Sequence, residues 1–163
     1  LDLEAEAWHC DGMFNFLPQK KHIPGKNRKT PLPLDIGNGP RRGIALLPDM
    51  FPCCAGPRIA YAEYTLLPDL FKYLTFSCGL NLAAEKNETS GIFEILLDGK
   101  KIWESPKLSA NMKPFYAEVK LGSAKRLRLQ VRDGREDVSD TKFFYPCYTE
   151  PELLRCHQGE KTL

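Results

Sequence analysis

The alternation of apolar and polar residues along the last two thirds of the chain most limits what it can fold into. From residue 58 onward apolar side chains recur at every second position, as in Leu127, Leu129 and Val131. A repeat of two residues is typical of strands that bury one face, whereas a helix repeats at about 3.6. The same repeat places Leu74 and Phe76 on the core-facing side of an earlier strand. We therefore predict an all-β domain in which each strand has one wet face.

Turn residues divide this pattern into short strands. Asp98-Gly99 stands between the runs 91–97 and 100–104, and both residues accept the positive φ that a type I′ hairpin turn requires. Trp103, in the second run, is interpreted as a packing residue. Prolines and glycines are so frequent between residues 18 and 57 that long helices are excluded there. The sequence predicts an antiparallel, jelly-roll-like β-sandwich with a loop-rich N-terminal third.

The length of 163 residues suits one domain with a single core. We assign residues 1–150 to the sandwich and residues 151–163 to a C-terminal tail. Thr149 as N-cap and Pro151 in the first turn predict one helical turn at the start of this tail. Cys156 is expected to tether the tail to the body, since an untethered terminus frays.

Six cysteines occur without a Cys-x-x-Cys pair of the kind that zinc sites and redox motifs use. Their even number favours disulfides, and six buried thiols in a reducing compartment are the alternative. Of the roughly 15 pairings, we favour Cys10 with Cys147, because the first and last strands of such sandwiches often adjoin. The cysteines predicted to form disulfides are Cys10, Cys53, Cys54, Cys78, Cys147 and Cys156.

Disulfide formation would place the domain outside the cell, as a secreted protein or a cell-surface ectodomain. The sequon Asn87-Glu88-Thr89 agrees with this location and predicts a glycoprotein modified at Asn87. The sequence has no run of about 18 to 20 apolar residues, so we predict no transmembrane segment in it.

A basic segment precedes the alternating region. Between Gln19 and Arg42 seven basic residues accompany one acidic residue, Asp35, in a chain of net charge +2. Such a segment can attract sulfated glycans, an acidic partner or an anionic membrane, or it can be a solvated loop. A pI near 8.2 is low for a nucleic-acid binder, so nucleic acid is not expected as a partner. The basic patch comprises Lys20, Lys21, Lys26, Arg28, Lys29, Arg41 and Arg42, with Arg126, Arg128 and Arg132 as its expected extension.

The sequence lacks the common catalytic motifs. It has three histidines, no Gly-x-Ser-x-Gly elbow, no His-Glu-x-x-His and no phosphate-binding Gly-x-x-x-x-Gly-Lys. Glu94 and Glu104 flank the predicted hairpin, but we expect this carboxylate pair to be solvated. We therefore predict that the domain is not an enzyme.

The acidic loop 133–140 offers one candidate metal site. Carboxylate oxygens suit Ca²⁺, and Asp133, Asp137 and Asp140 are the candidate ligands. Arg135 in the same loop opposes a cation, and a solvated loop is the alternative. Ca²⁺ is thus the one cofactor for which the sequence suggests ligands.

Four segments follow one another in the order of a known family. Arg42-Gly43-Ile44 is similar to the motif "kGi", and residues 76–81, FSCGLN, resemble "F.a.vGvD". Residues 93–105, FEILLDGKKIWES, match "F.v..DGk.lyeS" closely, and residues 124–133, AKRLRLQVRD, are similar to "a..L.L.v.d". From about Arg41 to Tyr148 the chain thus resembles the NPCBM family of carbohydrate-binding modules. The resemblance implies a β-sandwich of the kind often attached to glycoside hydrolases.

The chain departs from that family where the family's functional motifs lie. The closing motif Asp-His-x-x-Trp corresponds to residues 140–144, where Asp140 is present but Thr141 and Phe144 replace the histidine and the tryptophan. Asn81 stands at the aspartate of "vGvD". The resemblance therefore implies the sandwich more strongly than it implies sugar binding.

A sugar site is expected in the loops that carry these positions. Aromatic rings stack on the C–H face of a pyranose while polar side chains bind its hydroxyls. The predicted function is a non-catalytic, lectin-like extracellular module that binds glycans. The alternative is a protein-interaction module of a secreted or cell-surface complex whose sugar site has decayed. The predicted ligand-binding residues are Trp8, Asn81, Arg132, Asp140, Phe143 and Phe144.

Overall fold

The computed structural model describes residues 7–10, by their backbone, and residues 34–46, 48, 59–82, 89–134 and 146–155. These residues form strands, turns and bends, with no helix among them, and hence no helix in the described segments that could cross a membrane. The strands are β1 (Ala7–Cys10), β2 (Gly43–Ala45), β3 (Ile59–Thr65), β4 (Tyr73–Leu80), β5 (Ser90–Leu97), β6 (Lys100–Glu104), β7 (Leu108–Ser109), β8 (Phe115–Lys120), β9 (Arg126–Asp133) and β10 (Pro146–Leu154).

The strands form two antiparallel sheets. The larger sheet has the order β1-β3-β9-β5-β6, and β7 also pairs with β5. The smaller sheet has the order β2-β10-β4-β8. Neighbours such as β3 and β9 are far apart in sequence, so the sheets are assembled by long-range pairing. The predicted antiparallel β-sandwich is confirmed.

The core lies between the sheets and is built by the alternation seen in the sequence. Leu127, Leu129 and Val131 project from β9 and are fully buried, and Leu74 and Phe76 meet them from β4. Burying each such side chain stabilises the fold by roughly 1.5 to 3 kcal/mol. The predicted core-facing sides of both strands are therefore confirmed.

Tyr148 joins the two sheets across the core. Its ring packs edge-on against Phe76 and Phe93, with centroids 5.3 and 5.2 Å away. Its hydroxyl accepts a hydrogen bond from the Glu94 backbone N–H at 3.1 Å and lies 2.6 Å from the Gln130 carbonyl oxygen, to which it donates. The smaller sheet is thus fastened to the two central strands of the larger sheet.

The predicted hairpin and its packing tryptophan are both confirmed. Asp98 and Gly99 have φ angles of 48° and 83°, as a type I′ turn requires. The Asp98 carboxylate accepts hydrogen bonds from the backbone N–H groups of Lys125 and Arg126, at 3.0 and 2.8 Å. Trp103 is half-buried and packs edge-on against a core ring.

The expectation of one wet face per strand is wrong for β4. Thr75 points away from the core yet is 3% exposed, and Gly79, on the same side of β4, is buried as well. A Cβ added at Gly79 would lie 3.3 Å from the Ile36 Cβ, so the segment 34–46 approaches β4 closely at this point. A Cβ added at Gly43 would lie 2.2 Å from the Tyr148 carbonyl oxygen, which explains why the motif Arg42-Gly43-Ile44 has glycine at its centre.

The helical turn predicted at the start of the tail is wrong. Residues 146–154 form one strand, which pairs with β2 and β4. Its register shifts between Thr149 and Glu152, where Glu150 has a φ of 50°. This irregularity lets the strand include Pro151, which a regular central strand would exclude. Cys156 lies outside the described residues.

The predicted disulfide between Cys10 and Cys147 is wrong, and Cys78 is not in a disulfide either. Cys78 and Cys147 are buried thiols. Cys10 lies in the larger sheet and Cys147 in the smaller one, so the first and last strands do not adjoin. Cys78 faces the core, whereas Cys147 pairs with Gly79 and projects to the other face of its sheet. The cysteines Cys53, Cys54 and Cys156 lie outside the described residues.

Candidate functional site

Strand pairing gives the sandwich two different ends. We call one the turn end: it carries the connections 66–72, 98–99 and 121–125. The opposite end, the loop end, carries the connections 81–89, 105–114 and 134–145. Binding residues favour loops held on a rigid scaffold, so the loop end is the first candidate.

The stems of two loop-end connections lie side by side. Leu80 pairs with Pro146 at the end of β4, and Gly91 pairs with Asp133 at the end of β9. The Gly134 N–H donates to the Ser90 carbonyl oxygen at 2.9 Å, and a Cβ added at Gly134 would lie 2.8 Å from the Ser90 hydroxyl oxygen. Both connections therefore leave the sheets from fixed, neighbouring points.

Two predicted ligand-binding residues, Asn81 and Arg132, lie at this end, as does the predicted metal ligand Asp133. Asn81 and Asp133 stand at the ends of β4 and β9, and Arg132 precedes Asp133 on the larger sheet. Trp8 has a described backbone, paired with Ala62. The side chain of Trp8 and the residues Asp140, Phe143 and Phe144 lie outside the described residues.

Asn81 is buried rather than open to solvent. Its exposed fraction is 8%, and it forms side-chain and backbone hydrogen bonds with Cys147. Burial raises the pKa of the Cys147 thiol, and the hydrogen bonds with Asn81 oppose that rise. The next residue, Leu82, donates its N–H to the Asp35 carbonyl oxygen at 2.7 Å. Asn81 thus holds the stem of its loop against β10.

Arg132 belongs to a charged network on the outer face of the larger sheet. Its guanidinium lies 3.6 Å from a carboxylate oxygen of Glu94 and 3.6 Å from one of Glu104. Gln130 donates to Glu94 at 2.5 Å, and Lys101 contacts both carboxylates. Glu94 is 4% exposed, so the expectation that both carboxylates are solvated is wrong for Glu94, whereas Glu104 is exposed. Its partners compensate the burial of its charge.

The network keeps Glu104 charged. The hydrogen bond from the Lys101 ammonium lowers the pKa of the Glu104 carboxyl, and Glu104 in turn raises the pKa of Lys101. Further along the same face, Arg126 and Arg128 pair with Glu63, at 3.3 and 2.8 Å. The arginines expected to extend the basic patch thus form ion pairs on this face, although Arg126 and Arg128 share one carboxylate. The only sequence signal for this network was a glutamate in the middle of an apolar strand.

The structure describes only some residues of the predicted basic patch and calcium site. Arg41 lies 3.3 Å from a Glu150 carboxylate oxygen, and Arg42 is exposed. The rest of the basic patch and the sequon Asn87 lie outside the described residues. The described segments hold no group of three or more His, Cys, Asp or Glu side chains that could bind a metal. Asp133 is described, while Asp137 and Asp140 are not, so the calcium site stays a prediction.

The family model of the NPCBM/NEW2 domain matches residues 62–145 of this chain, just over half of its length. This match runs from β3 to the end of the connection after β9. No curated protein sequence matches the chain.

Solved structures of CBM51 modules share the fold. The CBM51 of a Clostridium perfringens GH95, in complex with methyl-galactose, has a TM-score of 0.63 at 18% identity, over 93% of this chain and 94% of that one. CBM51-2 of C. perfringens ZmpB, in complex with GlcNAc and joined to INT domains, has a TM-score of 0.66 at 13% identity, over 93% of this chain and 30% of that one.

A larger piece of ZmpB, an M60 catalytic domain with CBM51-1 and CBM51-2, has a TM-score of 0.66 at 22% identity. The match covers 94% of this chain and 14% of that one, so this chain spans a small part of that enzyme.

Proposed function

The chain belongs to the NPCBM/NEW2 domain family, and on that premise we propose that it is a non-catalytic carbohydrate-binding domain with its glycan site at the loop end. The observation that carries the proposal is the pair of neighbouring stems at Leu80–Pro146 and Gly91–Asp133. The connections 81–89 and 134–145, whose sequences carry the family's functional positions, start and end at these stems. A shallow site on a rigid sandwich is what weak, selective sugar recognition requires.

The solved relatives indicate which sugars to try first. One CBM51 module is in complex with methyl-galactose and another with GlcNAc. We propose that this domain binds a glycan of the same general kind, through the hydroxyl-binding side chains of Asp133 and Asp140 and through the aromatic faces of Phe143 and Phe144. The sequon and the family together support a location outside the cell.

The alternative is a protein-interaction module on the same scaffold. It is favoured by Asn81, which stands at a functional position of the family but directs its hydrogen bonds to Cys147. Thr141 and Phe144 replace two further family residues. A domain of this kind would keep the sandwich and bind a protein at the same loops.

A glycan array followed by calorimetry tests the proposal. We expect a defined set of glycans to bind and methyl-galactoside or GlcNAc to compete at millimolar concentration. Asp140→Asn and Phe144→Ala should each weaken binding at least about tenfold. Asp69→Asn, at the turn end, removes the same charge and should leave binding unchanged. A blank array together with a protein that binds through Asp140 would instead establish the alternative.

A further inference from the structure

Leu67 is the most exposed large hydrophobic side chain of the described residues, at 66%. It opens a tight turn at the turn end, in which the Leu70 N–H donates to the Leu67 carbonyl oxygen at 3.2 Å. Pro68 occupies the second position and Asp69, with a φ of 63°, the third, as in a type II turn. The backbone therefore holds an apolar side chain in solvent at the tip of the sandwich.

This tip is fixed to its neighbours on both sides. On one side, the Leu66 N–H donates to the Lys125 carbonyl oxygen at 2.8 Å. On the other, the Lys72 carbonyl oxygen accepts from the Leu121 N–H at 2.8 Å, and the Lys72 N–H donates to the Leu154 carbonyl oxygen at 2.8 Å. The connection 66–72 is thus held at both of its ends by the connection 121–125, and Leu67 is exposed without any rearrangement of the backbone.

Exposed cations lie at the same end of the sandwich as Leu67. None of them has an ion-pair partner among the residues that the structure describes, in contrast to the paired arginines on the outer face of the larger sheet. The acids nearby are Asp69 and Asp98, and the Asp98 carboxylate is engaged by two backbone N–H groups. These cations, which we call the turn-end cations, are Lys72, Lys100, Lys120, Lys125 and Arg155.

We infer that the turn end is a second interaction surface, which docks on an anionic phospholipid membrane through Leu67 and the turn-end cations. Lysines around an exposed apolar side chain match an interface where anionic headgroups overlie hydrocarbon. A sulfated polysaccharide would use the cations but has no use for Leu67. The cations also lie at the ends of several strands and connections, which suits a broad surface rather than a linear chain in a groove.

The inference goes beyond the proposed glycan site and does not depend on it. Strands of eight residues, at about 3.3 Å per residue, separate the two ends by roughly 25 Å. A domain docked by its turn end would hold its loop end away from the membrane. The loss of either activity can therefore be measured while the other is retained.

Vesicle co-sedimentation of the 163-residue chain tests the inference. We expect binding to phosphatidylcholine vesicles that contain about one third phosphatidylserine, little binding to pure phosphatidylcholine, and weakening by salt. The double reversal Lys72→Glu with Lys125→Glu should weaken binding by at least about twentyfold. Leu67→Ser should weaken it by about tenfold.

Matched variants at the loop end are the controls. Lys107→Glu with Lys113→Glu makes the same change in net charge, and Leu82→Ser removes a side chain that is 50% exposed. Both should bind like the parent, and an unchanged melting temperature in all variants would show that each is folded. The inference is overturned by equal binding to both kinds of vesicle, or by equal loss in the test and control reversals. It is also overturned if soluble heparin competes fully while Leu67→Ser binds normally, which would indicate a polyanion site.

Discussion

The two ends of the sandwich use the same strands but differ in how far strand pairing determines their connections. At the turn end, Asp98-Gly99 closes a hairpin in two residues. The Asp98 carboxylate also accepts hydrogen bonds from the backbone where β9 begins. At the loop end, the stems at Asn81 and Gly134 are fixed, but the connections beyond them are longer. The register of the sheets can thus be set at one end, which leaves the other end free to vary in sequence and to carry specificity.

The largest effect is expected midway between the ends, at Tyr148. Tyr148→Phe removes the hydroxyl that bonds the backbone at Glu94 and Gln130, and leaves buried polar groups without a partner. We expect a loss of about 2 kcal/mol and a fall in melting temperature of roughly 4 to 8 °C. Hydrogen exchange should accelerate at both ends, because the hydroxyl fastens one sheet to the other.

Tyr64→Phe is the matched control for Tyr148. Tyr64 is also buried, and its hydroxyl makes no hydrogen bond with a described residue. Its removal should change the melting temperature little. Equal melting temperatures for the two variants would show that the Tyr148 hydroxyl does not join the sheets.

A smaller effect, confined to stability, is expected at the turn end. Asp98→Ala removes hydrogen bonds to the N–H groups of Lys125 and Arg126 and places alanine at a φ of 48°. We expect a loss of about 1 to 2 kcal/mol, measured by urea denaturation. Asp98→Asn keeps one acceptor oxygen and tolerates this φ, so it should lose less. If Asp98→Ala lowers glycan affinity while the protein remains folded, the claim that the turn end serves stability and the loop end serves binding is contradicted.

The smallest effect is expected on the outer face of the larger sheet and depends on pH. The pKa of Glu104 is lowered in the folded protein, so its contribution to stability is present above its unfolded pKa of about 4.3 and is lost as pH falls through the folded pKa. The melting temperatures of the parent and Glu104→Gln should therefore differ slightly at pH 7 and converge on acidification. Because the ion pair between Glu104 and Lys101 is exposed, the difference in melting temperature at pH 7 is small. Lys101→Met should remove the same pH-dependent gap; a gap that persists would place its cause elsewhere.

Local patterns in the sequence predicted the strands, the core side of β4 and β9, and the Asp98-Gly99 hairpin, because each depends on neighbours in the chain. The errors involve contacts between distant segments. Gly79, on the outer side of β4, is buried against Ile36, and Pro151 lies in a strand because β10 pairs with β4. Alternation cannot reveal a second covering layer, nor can cysteine counting reveal which face Cys147 occupies. The burial of Glu94 likewise requires partners from β6 and β9.

The location of the candidate site could be predicted from the sequence, but the burial and contacts of its residues could not. The family resemblance directed attention to Asn81 and to the connection after Asp133, and the strand register brings these two stems together. The burial of Asn81 against Cys147 has no signature in the sequence, since residues 81 and 147 meet only when β10 pairs with β4. The turn-end surface was missed for a related reason, because its cations come from four separate stretches of the chain.

Nuclear magnetic resonance with the ¹⁵N-labelled domain tests the central claim most directly. Titration with the best-binding glycan from the array should shift the amide signals of Asn81, Asp133, Gly134 and residues 135–145. The signals of Asp98 and Lys125, at the turn end, should stay in place. Shifts concentrated at the turn end or on the outer face of the larger sheet, with the loop-end signals unmoved, would contradict the account.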